Sequence, residues 1–168
     1  MKNVWKRPAN GSLKVNCDGA LDLSSFDAGS GVVVRDCNRK VMDGCNRKFV
    51  CDFALVVETT ALKDGIKFGL ERKLQNVTFE IDSKVLHKML SKEWNDMDWK
   101  VILLVADVKQ MLRMTPDCKI EVVGRNVNMA TDWVATQTSK GMCQSGWSRS
   151  LPFSLVEILN KNELLAPP

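Results

Sequence analysis

The sequence predicts an α/β fold in which helices cover both faces of a mixed β-sheet. Three alternating stretches joined by short turns open the chain, and the later strands are separated by helical stretches. The composition, 45% hydrophobic and 26% charged, is typical of an ordinary globular protein. The 168 residues suit one domain, because a domain of about 150 residues buries roughly 70% of its unfolded surface.

The first three strands are predicted to form an antiparallel meander. Residues 1–11 contain several turn-forming residues and indicate an N-terminal linker. Alternation of polar and apolar residues predicts strands at 13–18 and 28–36, the second entered through glycines. A third strand is predicted at 40–47, and the turn before it is Asp36-Cys37-Asn38.

Helices and strands alternate in the remainder of the chain. Apolar residues at helical spacing predict a long helix from 52 to 72, for which Asp52 is the expected N-cap. The elements predicted after it are a strand at 77–82, helices at 83–90 and 99–114, a strand at 118–123 and a helix at 128–139. Strands joined by helical crossovers run parallel, so the sheet is expected to be mixed.

The six cysteines indicate neither a zinc site nor a disulfide framework, because they show no CxxC spacing and no paired Cys and His set. Cys17, Cys45 and Cys118 fall in predicted strands, where a cysteine is usually a small buried hydrophobic residue. The chain has no cleavable signal and no apolar run of about 18 residues, so a cytoplasmic or nuclear location without a membrane is expected.

The charge balance is compatible with a polyanionic partner. The chain carries 24 Lys and Arg against 20 Asp and Glu, a formal net charge of +4. If four of these acids bind cations, the remaining surface is more basic than the total suggests.

Four acidic residues lie in unusual positions. Asp18 closes the first predicted strand before Gly19, and Asp82 closes the fourth, so both are expected at the same edge of the sheet. Glu58 falls on the apolar face of the first helix, and Asp132 lies in the last helix. Buried carboxylates are costly unless a cation or hydrogen-bond donors meet them. The four acids together predict one divalent-metal site.

Each acid also has a purely structural interpretation. Asp18 could be a turn residue and Asp82 the N-cap of the next helix. Glu58 could pair with a buried Lys or Arg, and Asp132 could lie on a helix surface. A purely structural role for all four acids at once, in this order along the chain, is not expected.

Several segments resemble the ribonuclease H-like domain, in its plant branch related to non-long-terminal-repeat retrotransposon reverse transcriptases. The segments are Lys14–Ala20, Ala28–Asp36, Glu58 with Ala61, Leu62 and Gly65, Glu80–Ser83, and Arg125–Asn128 followed by Asp132. The resemblance covers roughly residues 5–142, and residues 147–159 look like the short tail of that branch. It divides the chain into a domain at 12–142 and a C-terminal tail at 143–168.

The resemblance implies a five-stranded sheet in the order 3-2-1-4-5. It also implies an endoribonuclease that hydrolyses the RNA strand of RNA–DNA hybrids with two Mg²⁺ ions, for which Mn²⁺ could substitute. Asp18 would bridge both ions, Glu58 and Asp82 would serve the leaving-group side, and Asp132 would serve the nucleophile side. A monomer is expected, and the chain could be the C-terminal part of a larger retroelement polyprotein.

The resemblance also suggests contacts to nucleic acid. The residues expected to make them are Gly19, Arg35, Ser83, Lys84 and Arg125. Relatives often insert a basic loop where residues 92–99 here are short and net acidic. Trp94 and Trp99 of this segment are expected to cover the edge of the core rather than to stack on bases. The single histidine, His87, is expected at the surface.

Departures from the family pattern keep alternative functions open. Val122 stands where the family has a histidine, and Ala54 and Leu55 stand where active members carry asparagines. Recognition of the ribose 2′-OH would then rest on backbone near Gly19 and Leu21 or on other side chains. The alternative function is a catalytically weak or inactive module that binds nucleic acid or protein. A proofreading exonuclease is disfavoured, because its first strand would carry Asp-x-Glu.

Overall fold

Five strands form one mixed sheet in this computed structural model, which describes residues 4–92, 98–115 and 117–164. The strands are β1 (Leu13–Leu21), β2 (Asp27–Arg35), β3 (Val41–Val50), β4 (Val77–Ile81) and β5 (Lys119–Val122). Their order across the sheet is β3-β2-β1-β4-β5, so the predicted order is confirmed.

Five helices accompany the sheet within the described ranges. They are α1 (Ala54–Glu71), α2 (Lys84–Ser91), α3 (Trp99–Arg113), α4 (Arg125–Ser139) and α5 (Phe153–Leu164), with a single 3-10 turn at Trp147–Arg149. α1 packs on one face of the sheet and on α3, and α4 packs on the other face beneath α5. The prediction of a sheet covered on both faces is therefore confirmed.

The pairing of β1 with β4 brings Asp18 and Asp82 to the same edge of the sheet. β1 runs parallel to β4, with Asn16 opposite Glu80 as the last parallel pair. β1 also pairs antiparallel with β2, and β2 with β3, as the predicted meander requires. Because strand residues two apart share a face, the residues two positions beyond this last pair, Asp18 and Asp82, lie level on one face of the sheet.

Four predicted boundaries were wrong. β3 ends at Val50 rather than at residue 47. β1 continues past Asp18 to Leu21, because its hairpin with β2 extends beyond the parallel pairing. Asp52 does not cap α1. Phe53 is the N-cap instead, and its extended backbone presents a carbonyl that accepts the first helical N–H groups. α4 begins at Arg125, three residues earlier than predicted, with Gly124 as its N-cap.

Two apolar clusters fill the two sides of the sheet. The larger one, on the α1 side, includes Val15, Cys17, Leu62, Ile66 and Phe79. The smaller one, on the α4 side, contains Val33, Ala130, Val134, Trp147 and Leu155. Residues 143–164 therefore contribute side chains to the interior.

The N-terminal segment is packed although its described residues form no helix or strand. Trp5 is buried with Val123 and Val127. All six cysteine thiols are free, with Cys17 buried and Cys118 immediately before β5 rather than inside it. Within the described ranges, no helix is both long and apolar enough to span a membrane.

Candidate active site

The four predicted acids line one cleft at the edge of the sheet. Its lining residues are Asp18, Gly19, Glu58, Asp82, Arg125, Asn126, Met129 and Asp132, around a volume of about 500 Å³. The acids come from four different elements: β1, α1, the residue after β4, and α4. The structure thus brings together residues that are up to 114 positions apart in the sequence.

Gly19 allows α1 to approach β1 closely enough to place Glu58 beside Asp18. A Cβ atom at position 19 would lie 2.7 Å from Cγ1 of Val57 and 2.9 Å from its backbone carbonyl carbon. Neither distance is compatible with a real side chain. The same helix passes over Cys17 at Gly65, where a Cβ atom would lie 2.3 Å from the sulfur.

Glycines on β2 place Asp132 in the same cleft. A Cβ atom at Gly31 would lie 2.8 Å from both the Thr131 carbonyl oxygen and the Ala135 backbone nitrogen. The backbone of α4 therefore rests directly on β2 at this point. Gly31 pairs with Asp18 across β1 and β2. Because α4 touches β2 at Gly31 through Thr131, the next residue, Asp132, is brought close to Asp18.

The carboxylates of the cleft repel one another. Burial raises the pKa of Asp18 well above its ordinary value, and the charges of Asp82 and Asp132 raise it further, against a hydrogen bond of 2.8 Å from the Gly19 N–H. Partial burial also raises the pKa of Glu58, Asp82 and Asp132, of which Asp132 is the most exposed, and the Arg125 guanidinium opposes the rise at all three. Such a group is stabilised by a cation.

The donor chemistry of the cleft fits Mg²⁺. Its acidic side chains offer oxygen atoms, and no histidine or cysteine is among the described residues that line it, so it does not fit the nitrogen and sulfur preferences of zinc. Among the residues that the structure describes, no three acidic, His or Cys side chains already stand close enough to form a complete metal cage. Mg²⁺ keeps several of its waters and needs few direct protein ligands, so a loosely spaced set of carboxylates is compatible with it.

Ser83 caps the helix that follows Asp82. Its hydroxyl accepts a hydrogen bond from the Leu86 N–H at 3.3 Å, which is the N-cap contact of α2. The structural interpretation of Asp82 as that cap is therefore wrong. Lys84, in the first turn of the same helix, is exposed beside the cleft.

Arg125 and Gly19 are predicted nucleic-acid contacts that line the cleft. The Arg125 side chain is 95% exposed, and its Nε atom is 3.9 Å from Oδ2 of Asp82. Only two residues, Val123 and Gly124, separate β5 from α4. Val122, at the family's histidine position, ends β5 and pairs with Ile81.

Arg35 was wrongly expected to contact nucleic acid. It is only 2% exposed, because the fold encloses it between β1 and the N-terminal segment. Its guanidinium donates a hydrogen bond of 2.8 Å to the Asn16 side-chain oxygen and lies 4.0 Å from the centre of the Trp5 ring. A side chain held in this way cannot reach a ligand at the surface.

Trp99 was wrongly expected to cover the core edge. As the first residue of α3 it projects into solvent and is 66% exposed. Trp94 lies outside the described residues. His87, on α2, is partly buried.

Residues that the sequence interpretation missed lie immediately behind the cleft. Asn16, Glu80 and Asn128 are almost completely buried and are joined by hydrogen bonds. One signal was available. Lys14, Asn16 and Asp18 alternate along one strand and therefore share a face, so two further polar side chains had to lie on the same side of the sheet as the acid.

Comparison with known proteins identifies the family and the fold of the chain. The sequence profile of the reverse transcriptase-like family matches residues 16–138. A "putative ribonuclease H protein" of Arabidopsis thaliana is 33% identical over 82 residues, which are 49% of this chain and 13% of that protein. This chain thus matches a small part of that relative's length.

Solved structures of similar fold include RNase H1 from the halophilic archaeon Halobacterium salinarum, with 18% identity and a TM-score of 0.71. The match covers 77% of this chain and 98% of that one. A foamy viral protease-reverse transcriptase in complex with an RNA/DNA hybrid has 17% identity and a TM-score of 0.67, over 77% of this chain and 20% of that one. At these identities the likeness concerns the fold. The profile match, which spans most of the chain, shows that it belongs to the reverse transcriptase-like family of ribonuclease H-like domains.

Proposed function

We propose that this chain is a metal-dependent endoribonuclease that hydrolyses the RNA strand of RNA–DNA hybrids. The observation that carries the proposal is the convergence of Asp18, Glu58, Asp82 and Asp132 on one cleft. Four separate elements supply them, and mutual repulsion adds to the effect of burial in raising the pKa of Asp18. Clustered carboxylates that repel one another are costly to keep, so a cation that joins them is the simplest account of their position.

The four carboxylates would hold Mg²⁺, with Mn²⁺ as a possible substitute. When bound, two such ions would activate a water molecule and stabilise the leaving oxygen of a phosphodiester. The protein's own part is to hold the four carboxylates facing one space that Gly19 and Arg125 also line.

Positive side chains would orient the nucleic acid. Arg125 lines the cleft and Lys84 is exposed at the start of α2, so each can contact a phosphate on either side of Asp82. Ala54 and Leu55, at the start of α1, offer no side-chain hydrogen bond to a ribose hydroxyl. Recognition of RNA would therefore depend on backbone groups near Gly19 and Leu21.

A second candidate function is binding of nucleic acid or a protein partner without cleavage. The specific observation in its favour is that, in the described ranges, the acids stand near one another without forming a complete cage. Val122, Ala54 and Leu55 favour it as well, because they remove side chains that the resemblance associates with turnover and RNA recognition.

The decisive experiment is cleavage of a labelled RNA–DNA hybrid by the purified chain with Mg²⁺ or Mn²⁺. Asp82→Asn keeps the shape of the side chain and removes its charge, and we expect it to lower the rate by at least about a hundredfold. Asp52→Asn is the matched control, because Asp52 is exposed and outside the cleft. It should cleave like the wild type.

Three outcomes separate the candidates. Loss of cleavage in Asp82→Asn alone supports the nuclease. A wild type that binds the hybrid but cleaves no faster than Asp82→Asn leaves the binding module as the function. Equal cleavage by wild type and Asp82→Asn would locate the activity outside this cleft.

A further inference from the structure

A buried hydrogen-bond network lies behind the cleft. At its centre is the Asn16 side chain, whose amide nitrogen donates to Glu80 Oε2 at 2.9 Å and to Asn128 Oδ1 at 3.2 Å. The Asn128 amide nitrogen donates in turn to the Cys17 carbonyl oxygen at 3.2 Å. The network thus joins β1 to β4 and to α4.

Each of these three residues is placed at a fixed interval before one of the acids. Asn16 is two residues before Asp18, and Glu80 is two residues before Asp82. On a strand, residues two apart point to the same face. Asn128 is four residues before Asp132, and residues four apart lie on the same side of a helix. The network therefore lies directly beneath three of the four carboxylates.

The network is too costly to be incidental. Glu80 is fully buried and forms an ion pair with Lys14, which is itself almost completely buried. The Arg35 guanidinium completes the network by donating a hydrogen bond to the side-chain oxygen of Asn16. Buried ion pairs contribute little net stability over apolar residues of similar volume, whereas their directional bonds can specify geometry.

We propose that Asn16, Glu80 and Asn128 are positioning residues that set the separation of Asp18, Asp82 and Asp132 for metal binding. The proposal rests on the proposed metal-dependent function. A carboxylate on β1 and one after β4 keep their separation only if the strand ends do not splay, and the bond from Asn16 to Glu80 joins those ends. Asn128 joins α4 to the same point by bridging Asn16 and the Cys17 carbonyl.

The test compares Asn128→Ala with Val134→Ala. Both shorten a buried side chain on α4, but Val134 belongs to the apolar cluster with Trp147 and leaves every hydrogen bond of the network intact. Affinity for Mn²⁺ alone is measured by titration calorimetry, and thermal unfolding without metal records how much stability each variant loses. We expect Asn128→Ala to bind Mn²⁺ roughly tenfold more weakly or worse. Val134→Ala should bind like the wild type despite its lower stability.

The outcomes distinguish a wrong inference from a wrong function. If wild type, Asn128→Ala and Val134→Ala all bind Mn²⁺ equally well, the positioning role is overturned and the metal site stands. If affinity falls in proportion to lost stability in both variants, the network is merely structural and the proposal is also overturned. A wild type that does not bind Mn²⁺ overturns the metal-dependent function and this inference together. Should Asn128→Ala fail to fold, Asn128→Ser is judged by the same criterion.

Discussion

Asp18 is the most buried carboxylate of the cleft, and three other carboxylates lie near it. It is only 8% exposed, and the charges of Asp82, Asp132 and Glu58 all act on it. A hydrogen bond from the Gly19 N–H to the Asp18 carboxylate compensates in part. A residue in this position lowers the stability of the metal-free protein, so its removal should be measurable as a gain.

Asp18→Asn is predicted to stabilise the metal-free protein at pH 7 by about 0.5–2 kcal/mol. The folded pKa of Asp18 is raised, chiefly by burial and then by Asp82, so the folded state binds the proton more tightly than the unfolded chain does. The free energy of unfolding of the wild type therefore falls as pH rises from the unfolded pKa through the folded one. Asparagine does not titrate. The gain in free energy of unfolding of Asp18→Asn over the wild type should therefore be full above the folded pKa of Asp18 and should vanish below about pH 4.

Urea unfolding at several pH values, with and without Mg²⁺, measures this effect. Mg²⁺ should stabilise the wild type more than Asp18→Asn, because the variant has lost one ligand. The exposed Asp52→Asn again serves as the control and should change little at any pH. An Asp18→Asn protein that is less stable than the wild type at pH 7 without metal would contradict the account of the cleft.

Glycines determine how closely the helices approach the sheet. At Gly19, Gly29 and Gly31, an added Cβ atom would lie within 3 Å of backbone atoms of α1 or α4. The positions of Glu58 and Asp132 therefore depend on how closely α1 and α4 approach the strands at these glycines.

Gly19→Ala is predicted to destabilise the protein by about 1–3 kcal/mol and to abolish cleavage. The new methyl group would overlap Val57, so α1 would have to move away and take Glu58 with it. The control is Gly69→Ala, which adds a methyl group to α1 itself. Its Cβ atom would meet only the Phe79 ring, at 3.5 Å, which is ordinary contact. Replacing a helical glycine there should stabilise the protein by about 0.5–1 kcal/mol.

Denaturant unfolding and the hybrid-cleavage assay together test this pair of variants. A Gly19→Ala protein with wild-type stability and activity would show that α1 is not seated by that glycine. A destabilised Gly69→Ala protein would show instead that α1 tolerates no added methyl group.

Local patterns predicted most of the elements and the acids of the cleft. Alternation placed Asp82 at a strand end, and helical spacing placed Glu58 on a buried stripe, because both patterns are periodic within one element. Arg35 was misjudged because its burial depends on Trp5, which lies in an aperiodic segment. The start of α4 was misplaced because Asn128, a residue type typical of helix caps, uses its amide for contacts to β1 instead.

In the molecule as a whole, the C-terminal segment contributes two buried side chains, Trp147 and Leu155, to the interior. Trp147 is 4% exposed and lies against β3 where Gly44 leaves room for its ring, and Leu155 of α5 packs in the same cluster. The division of the chain at residue 142 remains a prediction, but the buried ring and helix indicate that the two parts share one core.

Trp147→Ala is predicted to lower the free energy of unfolding by about 3–5 kcal/mol, because it removes a large buried ring. The control is Trp99→Ala, whose ring is mostly in solvent and whose loss should cost no more than about 0.5 kcal/mol. Urea unfolding followed by circular dichroism measures both and should show a single transition for the wild type. An early separate transition, or a Trp147→Ala variant as stable as Trp99→Ala, would mean that residues 143–164 do not share the core.

The two sides of the cleft are held by different kinds of contact. Asp18, Asp82 and Asp132 stand over the hydrogen bonds of the buried network, whereas Glu58 lies on a helix that packs closely against β1 at Gly19 and Gly65. Hydrogen bonds resist rotation, while apolar attraction has no preferred direction and permits small sliding movements. If the cleft binds metal as proposed, we expect a larger ion to be accommodated by a shift of α1, so that selectivity among ions of different radius would depend on the freedom of one helix.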